Sequence, residues 1–390
     1  MTSSNWIPYT IKDFMDRGEV ELQTGPFGTQ LHASDYVESG TPMINARNIG
    51  FGEIRTEKLE YLSDETVKRL SSHLLKTNDL VFGRKGTVDR HVLILPAQDG
   101  WFQGTDCLRI RFNSKSINPQ FVSYTFLTNY HKQWMNNQSS HGATMTSLNQ
   151  GIISRIPLNL PDIPTQNKIA TVLSAYDNLI ENNIQRIKVL EEMAQALYLE
   201  WFVNFRFPGH EGVRMVESEL GPVPEGWEVL PFSQALTLQR GFDLTSADRQ
   251  DGSVPIYGSI GLSGYHNIAK VKAPGIVTGR SGTLGLVHYI ERDFWPHNTA
   301  LWVKEFKKVT PLFTLFLLRA MDLKQYNGGV AVPTLDRNVV HRVPVIIPER
   351  KLIENFEEIV KPLFPLISNL EQKNANLRRT RDLLLPKLIS

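Results

Sequence analysis

Apolar residues recur in sevens along 166–202 and again near the C-terminus. In the first stretch Leu173, Ile180, Ile187, Ala194 and Trp201 hold one seam position. Ile169, Tyr176, Asn183, Leu190 and Leu197 hold the other. A shift of 187 residues carries the register to Val360, Ile367, Asn374, Arg381 and Leu388, and to Phe356, Leu363, Leu370, Leu377 and Leu384. Such paired apolar positions mark helices that pack along a coiled-coil seam. Asn183 and Asn374 put amides on the seam, which fixes register at some cost in stability. Pro362 and Pro365 delay the continuous part of the second helix to about residue 365. An internal two-fold axis across the seam would make the two helices antiparallel. At ~1.5 Å per residue, a helix of about 36 residues is ~54 Å long.

The shared register belongs to a longer repeat. TPMINARNI (41–49) matches VPIYGSIGL (254–262), GRKGT (83–87) matches GRSGT (279–283), and LNQGIISRIPLNLP (148–161) matches LDRNVVHRVPVIIP (335–348). Trp6 and Trp227 open the two copies. Three matches in one order, followed by matching helices, indicate duplication. Each copy has a body with short alternating runs, Gly and Pro; VFGRKGTV, CLRIRF, PGIVTGR and LGLVHYI read as strands and turns. QFVSYTFLTNYHKQWM (120–135) and TPLFTLFLLRAMDLKQY (310–326) read as single amphipathic helices at equivalent places. The expected fold is therefore α+β, with two similar heads and two long antiparallel helices. The expected segments are 1–160 for the first head, 161–204 for the first long helix, 205–226 for a linker, 227–348 for the second head and 349–390 for the second long helix.

Composition narrows the chemistry. With 390 residues, 41% of them hydrophobic and 21% charged, the chain has ordinary globular character and room for more than one core. Its single cysteine excludes a disulfide framework or a Cys-based zinc site and suits a reducing cytoplasm. The N-terminus lacks the apolar core of a signal peptide, and no apolar run is long enough to span a bilayer, so no membrane role is expected. The net charge of +2 permits nucleic-acid binding without arguing for it. No phosphate loop, dinucleotide fingerprint, zinc-protease or calcium-loop motif occurs, and the ten histidines lack metal-ligand spacing. NPQF (118–121) lacks the second proline of the amino-methyltransferase motif. No catalytic or metal residues are assigned.

What remains suits binding. In the two GRxGT turns, glycines permit close backbone approach, while Arg84, Lys85 and Arg280 supply cations for guanine edges or phosphates. Ser281, Thr87 and Thr283 add polar groups to the same turns, and Arg90 and His91 follow the first. Asn45, Arg47 and Asn48 carry amide and guanidinium groups suited to bases, where the second copy has Tyr257 and Ser259. Thr144 and Thr146 in one small polar loop, and Thr334 in its counterpart, could approach phosphates. A solvated hairpin or an Asn-rich turn is the plainer alternative for each. A similar frame with different tips suits two heads that read different sequences.

The motifs resemble the specificity subunit of type I restriction–modification systems over nearly the whole chain. The strongest part is IPLNLPDIPTQNKIATVLSAYDNLIENN (156–183), where Gln166, Ile169, Ala170, Leu173, Asp177 and Ile180 follow the family's proline-led entry into a helix. LYLEWFVNFRFPG (197–209) and LGPVPEGWEVLPF (220–232) resemble its crossing into a second head. ERKLIENFEEIV (349–360) departs, having no glutamine equivalent to Gln166. The resemblance implies two target-recognition domains that read a split site in double-stranded DNA, with no catalysis in this chain. It implies docking of two adenine-methylating modification subunits and of ATP-dependent restriction subunits. S-adenosylmethionine, ATP and magnesium would belong to those partners. The alternatives are a DNA methyltransferase carrying its own specificity domains, disfavoured by the missing methyl-donor motif, and a scaffold that binds only proteins.

Overall fold

A computed structural model describes residues 6–27, 29–86, 88–139 and 147–389. The chain divides into two compact units, residues 1–182 with 373–390, and residues 183–372. The same topology is built twice. In the first unit strand Ile7–Thr10 pairs antiparallel with Pro157–Leu160, closing the body just before the first long helix. In the second, Glu228–Pro231 pairs in the same way with Pro344–Ile347.

Behind each pair lies a four-stranded antiparallel sheet. In the first unit Val20–Thr24 pairs with Cys107–Phe112, which pairs with Leu80–Gly83, which pairs with His91–Leu93. The counterpart in the second unit runs Leu236–Arg240, Ala300–Phe306, Gly275–Gly279, Val287–Ile290. A smaller sheet in each unit contains one parallel pairing, Met43 opposite Phe102 and Ile256 opposite Trp295. Apolar faces of these sheets meet helices: Phe82, Leu108 and Ile110 cluster with Phe121 and Val122 in one unit, and Ile276 and Leu301 with Phe313 and Phe316 in the other.

Charge also enters the first core. Arg109 is 1% exposed and donates to Glu21 (2.8 Å) and to the carbonyls of Ser72 and Leu74, with Gln23 as a further acceptor. The two carbonyl bonds draw the 72–74 turn toward the sheet, while Glu21 and Gln23 lie on the neighbouring strand. Losing one partner of a buried charge costs about 3–5 kcal/mol, so Arg109 serves the fold and not an external ligand.

Two expected helices are shorter than their apolar periodicity suggested. The run 120–135 is split into Pro119–Phe126 and Asn129–Ser139, because the Thr128 hydroxyl donates to the Thr125 carbonyl (2.8 Å) and accepts from the amide of His131. A side chain that bonds the local backbone in this way competes with helical continuation. The run 310–326 ends as an α-helix at Ala320, and Asp322 turns left-handed (φ 42°) before a 3₁₀ turn Leu323–Tyr326.

The first long helix spans Ile163–Tyr198, 36 residues, and passes into a π-turn at Leu199–Val203. The second is interrupted at 361–362, giving Arg350–Val360 and Leu363–Leu388. Pro362 sits in the interruption and Pro365 in the first turn beyond it, where a missing N–H costs nothing. On the seam, Ile169, Leu173, Ile180, Leu370 and Asn374 are buried; Tyr176, Ile187, Leu190, Leu197, Leu363, Ile367, Leu377 and Leu384 are half-buried. Within the first unit the helices run in opposite directions. Asn374 donates to the Ile180 carbonyl, Arg381 meets Asp177 at 2.5 Å, and Leu385 and Ile389 join the cluster of Ile169 and Leu173. Asp177 also accepts from the Tyr124 hydroxyl (2.5 Å), linking the head to both helices. In the second unit the matching seam is aromatic, with Tyr198 and Phe202 against Phe313 and Phe356, and Phe316 against Phe364.

Gln166 explains the sequence signature at the helix start. Buried, it accepts from the Asn118 amide (2.9 Å) and donates to the carbonyls of Ser116 (3.1 Å) and Pro161 (2.9 Å). The second copy places buried Ile353 at the equivalent position.

Candidate nucleic-acid interface

The GRxGT turns are stitched into their heads by the same backbone bonds. In the first head the Arg84 amide donates to Asp106 (2.8 Å) and the Arg84 carbonyl accepts from Leu148 (2.7 Å). In the second the Arg280 amide donates to Thr299 and the Arg280 carbonyl accepts from Leu335, both at 2.8 Å. Lys85 bridges to Ser147 as Ser281 does to Thr334. Gly86 (φ 80°) and Gly282 (φ 92°) are both left-handed, a conformation that a side chain would strain. The turn, the residues just before 107 or 300, and the pairs Ser147–Leu148 or Thr334–Leu335 therefore converge at one end of each head.

The side chains at these ends differ. Lys85 is exposed and ion-paired with Asp106 at 3.1 Å. A pair this open to water is worth about 0–1 kcal/mol, so a phosphate can exchange for the carboxylate at little cost. Arg47 is tied to Glu60 (2.7 Å), which also accepts from the Asn45 amide (2.6 Å). Arg84 is half-buried, with no bond to its Nε among the described residues. Arg90 lies 5.5 Å and Lys132 4.6 Å from the ring of half-exposed Phe51.

In the second head Arg280 donates through Nε to the Asn298 carbonyl (2.8 Å), and the Thr299 hydroxyl accepts from the Ser259 amide (3.3 Å). The Ser281 amide also donates to Thr299 (3.1 Å). Thr283 is exposed, and its carbonyl lies where a Cβ on Gly279 would stand. Thr334 donates to the Val332 carbonyl. Tyr257 is half-buried between His288 and Phe294, and burial raises its phenol above the usual range.

Two expected surface residues are corrected. Asn48 is fully buried: its amide donates to Arg55 and its oxygen accepts from the Asn45 amide, so it shapes the 45–48 turn from inside. His91 is fully buried, with Nε2 beside the carbonyl and hydroxyl of Ser123 (3.0 Å each). Neither side chain faces a ligand. Thr87, Thr144 and Thr146 lie outside the described residues. Sequence reasoning missed Asp106, Asn298 and Thr299, which enter the sites from the turns just before strands Cys107–Phe112 and Ala300–Phe306, and Arg240 and Asp243 beside Asn298.

His91 gives the first head a measurable pH response. Burial lowers its pKa to about 3, against 6.5 for a free side chain. The unfolded chain therefore binds a proton between those values that the folded head refuses. Stability is complete above about pH 6.5 and falls as pH drops toward 3, by about 1.4 kcal/mol per unit for this group. In urea titrations the H91N variant should lose that part of the slope between pH 6.5 and 5. A slope equal to wild type would show that His91 does not carry it.

Among the described residues no group of three His, Cys, Asp or Glu side chains could hold a metal ion, and no helix is long and apolar enough to cross a membrane.

Two copies of one head, each offering a turn-borne cation and polar tips, define a duplicated recognition protein. The chain belongs to the type I restriction modification DNA specificity domain family, whose model matches residues 6–192 and 224–379. It is 25% identical over 295 residues to the type I restriction enzyme MjaIX specificity subunit of Methanocaldococcus jannaschii, covering 69% of this chain and 68% of that protein. It is 20% identical over 427 aligned positions to the HindI specificity subunit of Haemophilus influenzae, covering 88% and 93%. The fold is similar to the crystal structure of a type I restriction-modification S subunit from M. genitalium, with a TM-score of 0.59, 15% identity and coverage of 99% and 96%.

Proposed function

We propose that this chain is the non-catalytic, sequence-reading subunit of a type I restriction–modification assembly, each head reading one half of a split DNA target. The observation that carries this reading is the repeated turn. Arg84 and Arg280 sit on identical backbone stitching, while the neighbouring tips change from Asn45 and Lys85 to Tyr257, Ser259 and Ser281. A constant frame orients a contact on the duplex, and variable tips change which base edges are matched. Modification subunits would dock on the long helices. Val172 and Leu179 on the first part of the Ile163–Tyr198 helix, and Val189 and Met193 on the last, are 41–57% exposed, large and apolar. Methyl donor, ATP and magnesium would be bound by the partner subunits, not by this chain.

The test is the adenine methylation pattern of a host that expresses this chain with its modification subunits. The expected motif has two parts separated by a fixed gap. A continuous motif would refute the two-reader arrangement, and methylation by the purified chain alone would refute its non-catalytic role.

A further inference from the structure

The second head has a feature that the first lacks. Arg240 ends the edge strand Leu236–Arg240, opposite Leu301. Its Nη2 donates to Asp243 Oδ1 at 2.8 Å, and the same oxygen accepts from Asn298 Nδ2 at 2.5 Å. The Asn298 carbonyl in turn accepts from Arg280 Nε at 2.8 Å. One asparagine thus anchors two guanidinium groups, one through its side chain and Asp243, the other through its backbone. Arg240 is 47% exposed, and its Nε and Nη1 have no partner among the described residues. At the equivalent positions the first head has Thr24, which accepts from Gln150 (3.2 Å), and exposed Phe27.

A free surface arginine loses side-chain entropy on docking. A tether at one nitrogen removes part of that cost before the ligand arrives. The remaining donors keep the fork geometry that fits O6 and N7 of guanine. Asp243 decides between a base and a phosphate. The Asn298 amide and the Arg240 guanidinium hold its carboxyl below the usual range, so it is charged at neutral pH. Unlike Asp106 beside Lys85, Asp243 is also held by Asn298, so it stays beside the guanidinium and repels a phosphate, whereas guanine presents neutral acceptors.

We propose that Arg240, steered by Asp243 and Asn298, reads one guanine in the half-site of the second head. This rests on the heads being DNA readers.

The test compares methylation motifs in hosts expressing the full chain with its modification subunits, as wild type, R240A and R240K. The wild-type half-site of the second head should contain a guanine at which both variants lose discrimination, by roughly 5- to 150-fold. Lysine keeps the charge without the fork, so R240K separates a base reader from a phosphate contact. The other half of the motif should stay unchanged in all three, which controls for folding and assembly. Wild-type discrimination in R240K, an equal loss of methylation at every site, or no change in either variant would each overturn the assignment. A wild-type motif that is not bipartite would instead overturn the reading of the heads.

Discussion

A chimera carrying residues 1–155 of another family member ahead of residues 156–390 of this chain should methylate a motif with one new half and one unchanged half. The cut falls after helix Gln150–Ser154 and before strand Pro157–Leu160. That strand pairs with Ile7–Thr10 through backbone bonds, which tolerate a change of side chains. The effect should be near all-or-none. Two mismatched base pairs already cost about 2–6 kcal/mol, so methylation of the original half-site should vanish. Simultaneous change of both halves would show that the heads do not read independently.

A second large effect concerns the gap between the half-sites. Four residues inserted after Asn182 and four after Gln372, one insertion in each long helix, should lengthen the gap by one or two base pairs. Four residues add ~6 Å and about 40° beyond a full turn. One base pair adds ~3.4 Å and about 34–36°, in the same right-handed sense. Translation thus favours two extra pairs and rotation favours one. Insertion in both helices keeps Ile180 near Asn374 on one side of the insertions and leaves the aromatic seam of Tyr198 and Phe356 intact on the other. Methylation mapping reads the result. An active variant with the original gap would mean that the helices pack the heads and do not set the spacing.

The parts of the fold visible in the sequence are those with a period or a backbone requirement. The seam of Ile169, Leu173 and Ile180 repeats because a helix returns to the same face every seven residues. Gly86 and Gly282 repeat because both turns need left-handed backbone. Helix breaks were hidden: nothing in the apolar pattern around Thr128 reveals that its hydroxyl bonds the backbone instead of water. The site was half visible for a related reason. Residue type identifies what a side chain can bond, not whether it is already bonded. Asn48 and His91 have groups suited to DNA, yet Arg55 and Ser123 occupy them. Arg240, Asp243 and Asn298 meet only because Gly241 bonds to Ala300 across the sheet, a pairing between segments far apart in the chain.

The contact between Asp177 and Arg381 bears on the ancestry of the molecule. A duplicated chain begins as two identical halves, either of which can mate with its own copy. By the 187-residue shift, Asp177 corresponds to Phe364 and Arg381 to Ala194. Two first halves brought together would set Asp177 against Ala194, leaving the carboxylate its bond from the Tyr124 hydroxyl but no cation. Two second halves would set Arg381 against Phe364. Only the unlike pairing satisfies both positions, so at this contact the two halves are no longer interchangeable, and each marks the other as its mate.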